Sequence, residues 1–241
     1  MRLTDIHTHI LYGVDDGAKN LKESTRILEN LWEQGVGNVV LTPHYGPKFG
    51  FPVAEILKER FEELKEEARR TWPEMKIFLG SEIYYQSNTI QDLKDRKALS
   101  LNGTRYVLVE FGVNDSFGLI LRATQELVYA GFIPIVAHVE RYKAILGDLD
   151  KTQELVDLGS LLQINSKSLT GSILNATTKY CRKLLSEQLV HLVASDCHDL
   201  KSRSPDLLRG AEVVHKKCDQ EWTDNILYKF PEKILEGKYI I

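Results

Sequence analysis

Histidines and carboxylates recur at the ends of short apolar runs in this chain. They begin with Asp5-Ile6-His7-Thr8-His9 and continue through Leu41-Thr42-Pro43-His44, Leu79-Gly80-Ser81-Glu82, Leu108-Val109-Glu110, Ile135-Val136-Ala137-His138 and Val193-Ala194-Ser195-Asp196-Cys197-His198. Each run stops on a group with a lone pair to offer a cation. An ionisable side chain taken out of water costs several kcal/mol, roughly, unless it is paired or coordinated, so a purely structural core has no use for so many together. The pattern predicts an enzyme with a metal cluster. His7 and His9 stand two apart at a strand end and so face the same side, where they can share one ion. With Asp16, His44, Glu82, Glu110, His138, Asp196 and His198 they make nine candidate ligands, all imidazole or carboxylate. That set suits Zn²⁺, Mn²⁺ or Fe rather than a Cys-rich structural zinc. At ~3 protein ligands per ion, with positions left for water and substrate, nine ligands imply two or three divalent metals.

Groups so far apart in the chain meet only if a fold gathers the strand ends. Apolar runs suited to strands lie near Leu3 to His7, Asn38 to Leu41, Lys76 to Leu79, Tyr106 to Val109, Ile133 to Ala137, Leu161 to Ile164 and Leu189 to Ala194. Helical patterns fill most gaps. Leu21, Leu28, Leu31 and Trp32 line a helix that Asn20 can cap, with Glu23 completing a box-like start. Leu57, Phe61, Leu64 and Ala68 form a second stripe after Pro52. Leu121, Leu127 and Val128 belong to a helix that stops at Gly131, and Asp150 with Gln153 opens another that stops at Gly159. Ser204-Pro205 reads as cap and first position of the helix carrying Leu208, Ala211 and Val214. This alternation predicts a parallel sheet with its functional groups at the carboxyl ends of the strands. In a closed barrel those ends converge on one face. A distorted (β/α)7 barrel, one domain over residues 1–241, therefore accounts for the stations better than an open sheet, which would spread them along an edge.

With 43% hydrophobic and 27% charged residues the 241-residue chain can bury a sizeable core. Lys+Arg of 31 against Asp+Glu of 34 leaves a net charge of −3, no footprint for nucleic acid or an anionic membrane. There is no apolar run long enough to span a bilayer, and Asp5 and His7 interrupt any signal peptide, so a cytoplasmic location is expected. Three cysteines without a C-x-x-C fit a reducing compartment.

The ordered motifs narrow the reading. His7-x-His9, Val14-Asp15-Asp16-Gly17, Thr42-Pro43-His44, Gly80-Ser81-Glu82-Ile83-Tyr84-Tyr85, Glu110-Phe111, His138-Val139-Glu140-Arg141-Tyr142 and Ser195-Asp196-Cys197-His198 resemble the polymerase-and-histidinol-phosphatase (PHP) superfamily. Within it they resemble the bacterial manganese-dependent tyrosine phosphatases of capsular and exopolysaccharide operons, from Asp5 to the closing Phe230-Pro231-Glu232-Lys233-Ile234-Leu235. The resemblance implies a trinuclear centre in a distorted barrel, with Mn²⁺ as the ion and Fe or Zn²⁺ as alternatives. It implies that His7, His9 and Asp196 hold one ion, that Glu82 bridges to a second held by Glu110 and His138, and that Asp16, His44 and His198 hold a third. Arg141 and Arg203 match the arginines that grip phosphate. The implied substrate is a phosphotyrosine-bearing bacterial tyrosine kinase. The loop Tyr45 to Phe51, rich in Gly and aromatics, could frame its phenyl ring.

Other residues read more plainly. Asp15 is a solvated group or a neighbour that hydrogen-bonds a ligand; His191 and His215 are structural; Trp32, Trp72 and Trp222 are packing; Lys58 to Arg70 is a solvated helix face. Cys197 to Ser204 satisfies the C-x₅-R-S pattern of cysteine-dependent tyrosine phosphatases, but Asp196 and Asp199 would raise the thiol pKa and no Gly lets the backbone cradle an anion. The enzyme rival is a histidinol-phosphate phosphatase, separable by its substrate. The non-enzyme rival is a kinase-binding module, which Mn²⁺-dependent turnover would exclude.

Overall fold

A computed structural model describes residues 2–240. The strands are β1 (Leu3–Thr8), β2 (Val36–Leu41), β3 (His44–Tyr45), β4 (Lys76–Leu79), β5 (Glu82–Tyr84), β6 (Tyr106–Glu110), β7 (Ile133–Val136), β8 (Leu161–Asn165) and β9 (Leu192–Ala194). The helices are α1 (Leu21–Glu33), α2 (Ala54–Thr71), α3 (Thr89–Lys94), α4 (Phe117–Tyr129), α5 (Leu149–Asp157), α6 (Ser166–Thr170), α7 (Ala176–Ser186), α8 (Leu207–Lys217), α9 (Gln220–Asp224) and α10 (Phe230–Leu235).

All strand pairs are parallel, in the orders β1-β2-β4 and β3-β5-β6-β7-β8-β9. The two runs are continuous in space. Pro43 and Gly80 interrupt what would otherwise be two long strands, so β3 continues β2 and β5 continues β4, with Gly80 N–H donating to Leu41 O (2.9 Å) and Glu82 N–H to Pro43 O (3.1 Å). At the other margin Asp196 N–H donates to His7 O (3.0 Å) and His9 N–H to Cys197 O (2.8 Å), which lays the end of β9 beside β1. The result is a curled parallel sheet with its carboxyl ends gathered on one side.

Alternation along the strands divides the core. Tyr106 and Leu108, Ile135 and Ala137, Leu192 and Ala194 face one way and pack with Ile6 and Val40 against Phe230, Ile234 and Leu235 of α10. Val107, Val109, Val136 and Val193 face the other way, into the larger cluster under the flanking helices. Among the described residues no helix is long and apolar enough to cross a membrane.

Several boundaries differ from the sequence reading for local reasons. The last strand starts at Leu192 because Leu189 N–H returns to Leu184 O to close α7. The α5 cap is Asp148, which accepts from Lys151 N–H (3.1 Å), two residues before Asp150. Helix α8 starts at Leu207, and Asp206 stands at its cap position with its carboxylate committed to Ser166 Oγ. Asn20 caps α1 as expected, accepting from Glu23 N–H (3.0 Å).

Candidate metal centre

All nine predicted ligands converge at the carboxyl ends of the strands. His7 Nε2 and His9 Nε2 approach to 3.1 Å, and Glu82 Oε2 lies 3.3 Å from the first and 3.1 Å from the second. Asp196 Oδ1 stands 3.6 and 3.5 Å from the same two nitrogens. His44 Nδ1 is 3.0 Å from Glu82 Oε2 and 3.2 Å from Glu110 Oε1, while His138 Nε2 is 2.7 Å from Glu82 Oε1. Asp16 Oδ1 is 3.2 Å from His198 Nε2 and 3.6 Å from His44 Nε2. Three sets have ligand atoms within 4.8 Å of one another: His9, Asp16, His44 and His198; His7, His9 and Glu82; and His44, Glu82 and Glu110. His9, His44 and Glu82 thus each stand in two sets, and His138 sits on the Glu82–Glu110 side.

The surrounding bonds fix the tautomers. Gln163 Oε1 accepts the backbone N–H of His138 (2.8 Å), so it must also be the acceptor for His7 Nδ1 (3.1 Å). His9 Nδ1 donates to Asp15 Oδ2 (2.8 Å), a carboxylate that also takes the N–H groups of Gly17 and His44. His198 Nδ1 donates to Asp196 O (3.0 Å). In all three rings Nε2 is therefore the lone-pair atom. With both rings neutral, the lone pairs of His7 and His9 face each other at 3.1 Å with no proton between them, and they describe an edge of a coordination shell. Buried Glu82 Oε2, His44 Nδ1 and His198 Nε2 likewise have no hydrogen-bond partner among the described residues. These orphans fit one or more divalent metal sites.

Charge points the same way. Asp15, Asp16, Glu82, Glu110 and Asp196 set five carboxylates against the guanidiniums of Arg141 and Arg203, a formal −3 when the imidazoles are neutral. Burial alone would depress His9, but Asp15 and then Glu82 push it up to about 10. Burial and the charge of His9 would depress His44, and Glu110 with Glu82 push it up to about 9. Burial would raise Glu82, and the charge of His7 with contacts to His138 and His44 holds it well below the usual carboxylate range. His198 goes down to about 4, through burial and the neighbouring His9. A site that raises buried imidazoles this far is short of cations.

Backbone geometry aims the ligands. His138 (φ 33°) and Asp196 (φ 53°) leave β7 and the end of β9 in the left-handed region, a strained turn that swings each side chain into the cluster. Gly17 closes the Asp15–Asp16 loop against His9, where a Cβ would stand 1.7 Å from His9 O.

Arg141 Nη2 and Arg203 Nη2 grip the two oxygens of Asp196 at 2.6 and 3.1 Å. Both arginines line a cavity of about 550 Å³ that opens on Asp16, His44 and Glu110, with Phe49, Tyr84 and Phe111 as its aromatic walls. The Phe49 ring stacks on His44 at 4.2 Å between centroids.

The comparisons decide the family. The family described as "Capsular polysaccharide synthesis, CpsB/CapC" matches residues 3–236. The chain belongs to this family. The tyrosine-protein phosphatase CpsB of Streptococcus agalactiae serotype V is 32% identical over 243 residues, 99% of this chain and all of the relative. A structure solved in work on YwqE from Bacillus subtilis and CpsB from Streptococcus pneumoniae, unique metal-dependent tyrosine phosphatases, superposes with a TM-score of 0.91 at 29% identity, covering 99% of this chain and 96% of that one. A histidinol phosphate phosphatase from Lactococcus lactis, at 15% identity and TM-score 0.59 over 90% of this chain and 93% of its own, shares the fold.

Against that family background, Cys197 is no nucleophile. It is fully buried, and burial followed by the charge of Asp5 pushes its thiol well above the ordinary range. Sequence reasoning missed Gln163 and Asn165. Asn165 Nδ2 donates to Asp196 Oδ2 (3.0 Å), and Gln163 Nε2 donates to Asn165 Oδ1 (2.8 Å). Their signal was available: two amides spaced by two at the end of the apolar run Leu161 to Asn165.

Proposed function

We propose that this chain is a metal-dependent protein-tyrosine phosphatase working on a closed, distorted (β/α)7 barrel of PHP type, one domain over its length. The paired Nε2 lone pairs of His7 and His9 carry the metal reading, and the CpsB relatives carry the phosphatase reading. Closure is supported by the hydrogen bonds between β1 and the end of β9. His7, His9 and Asp196 would hold one ion, Glu82 a share of it and of a second held with Glu110 and His138, and Asp16, His44 and His198 a third. Two ions would turn the formal −3 of the site to +1 and three to +3, either of which suits a phosphate dianion; Mn²⁺ is the ion proposed. The substrate proposed is phosphotyrosine on a bacterial tyrosine kinase governing capsular or exopolysaccharide synthesis.

Bound divalent ions would supply an acidified water and neutralise phosphoryl oxygens. The chain does the rest. Arg141 and Arg203 present two guanidinium forks at the cavity wall, where they pair with equatorial phosphoryl oxygens and stabilise the charge of the transition state. Phe49, Tyr84 and Phe111 pack the phenyl ring. A phenol with a pKa of ~10 leaves as phenolate more readily than an alcohol, so no strong general acid is required. Asp15 and Gln163 keep Nδ1 of His9 and His7 protonated and their Nε2 atoms free.

Arg141→Ala tests the assignment. Hydrolysis of a phosphotyrosine peptide should fall on the order of 10²-fold or more while metal content stays near normal. Loss of metal together with activity would make Arg141 structural. Parallel assays on histidinol phosphate should show the weaker turnover; the reverse order would move the substrate to the rival.

A further inference from the structure

A second cavity, of about 350 Å³, shares Arg141 and Arg203 with the first and is lined by them together with Lys167, Ser168, Thr177 and Ser202. Among the described residues no apolar or aromatic side chain lines it. Among the described residues its only carboxylate is Asp196, whose oxygens accept from Arg141 (2.6 Å), Asn165 (3.0 Å) and Arg203 (3.1 Å). Three cations, Arg141, Lys167 and Arg203, therefore face one acid, a formal +2, in walls otherwise made of hydroxyls and amides. Lys167 is held across the rim by donating to Ser202 O (2.7 Å). The loop before α7 closes tightly there, since a Cβ on Gly171 would stand 2.5 Å from Thr178 Oγ1. Such a pocket gives an aromatic ring nothing to pack on and pairs an oxyanion.

We infer that this cavity is a second oxyanion subsite, which takes a phosphoryl or carboxylate group borne by the same peptide a few residues from the phosphotyrosine. The inference rests on the phosphotyrosine reading above. Because the two cavities share the arginine pair, the second anion adds its charge where the first is already gripped, and an extended peptide at ~3.3 Å per residue reaches from one to the other within a few residues. A phosphoryl group, with more charge and more acceptor oxygens than a carboxylate, should bind better.

The test uses the manganese-loaded full chain and peptides with one phosphotyrosine. The flanks are neutral, or carry a single Asp or a second phosphotyrosine at each of the positions one to four residues away on either side. At one or two of these positions kcat/KM should exceed that of the neutral peptide by about tenfold, mostly through KM, and the excess should shrink as salt rises. Lys167→Glu should bring the ratio of acidic to neutral peptide close to one. An equal rate for all flanks in the wild type, or a preference that survives Lys167→Glu, overturns the subsite. Preference for the second phosphotyrosine alone assigns it to phosphoryl groups; preference for Asp as well assigns it to oxyanions in general. If the neutral peptide is not hydrolysed, the phosphotyrosine reading fails by itself. Calorimetric titration of the acidic peptides against wild type and Lys167→Glu then decides the subsite, with equal binding overturning it.

Discussion

Gln163 shows how much of this site depends on a residue with no charge. Its Oε1 holds both His7 Nδ1 and the His138 backbone N–H, and its Nε2 passes the constraint through Asn165 to Asp196. Three candidate ligands thus share one amide chain. Gln163→Leu should leave the fold intact and weaken Mn²⁺ binding by roughly 10- to 100-fold, read by titration of the metal-free protein. Unchanged affinity would show that His7 keeps its tautomer without help. Cys197 makes the opposite point, because a residue with conspicuous chemistry does none here. Cys197→Ser should retain most phosphatase activity, since the thiol is sealed from the cavity; a folded, metal-loaded and inactive serine variant would restore the cysteine mechanism.

At the level of elements, period-two and helical patterns carried most of the architecture, because each strand is apolar where both faces are covered and each long helix has one apolar stripe. The ligand stations were legible because imidazoles and carboxylates are costly inside a protein. The amides at 163 and 165 carry no such cost once hydrogen-bonded, and they escaped notice. β3 and β5 escaped because Pro43 and Gly80 break their strands just before the ligands His44 and Glu82. Ser204-Pro205 misled for a tertiary reason: Asp206 spends its carboxylate on Ser166 of α6 rather than on its own helix. Between α7 and β9, His191 is buried and accepts the Leu162 N–H (3.2 Å) through Nδ1, and burial pushes its pKa down to about 4. The unfolded chain takes up a proton near pH 6.5 that the folded protein refuses until about 4. This stability is therefore fully present above pH 6.5 and lost as pH falls towards 4, roughly 3 kcal/mol in all. Urea unfolding in chelator at pH 7.5 and 5 should show His191→Gln losing about 2 kcal/mol less than the wild type. Equal losses would mean that His191 protonates in the fold.

For the whole molecule, the centre draws on side chains from His7 to His198, so it exists only when the sheet has curled enough to bring β9 against β1. Metal and fold are thereby linked: ions that bind the assembled site and not the unfolded chain stabilise the whole protein. Five carboxylates, a set of histidines with fixed tautomers and two arginines together make up the machinery of a metal-dependent phosphatase. The most direct test strips the protein with chelator and adds Mn²⁺ back in steps, following bound metal by element analysis and hydrolysis of a phosphotyrosine peptide in the same samples. The stripped protein should show no turnover, and activity should return as two or three ions per chain are bound. Full turnover in protein shown to be free of metal, or saturation with Mn²⁺ that restores none, would contradict this metal dependence.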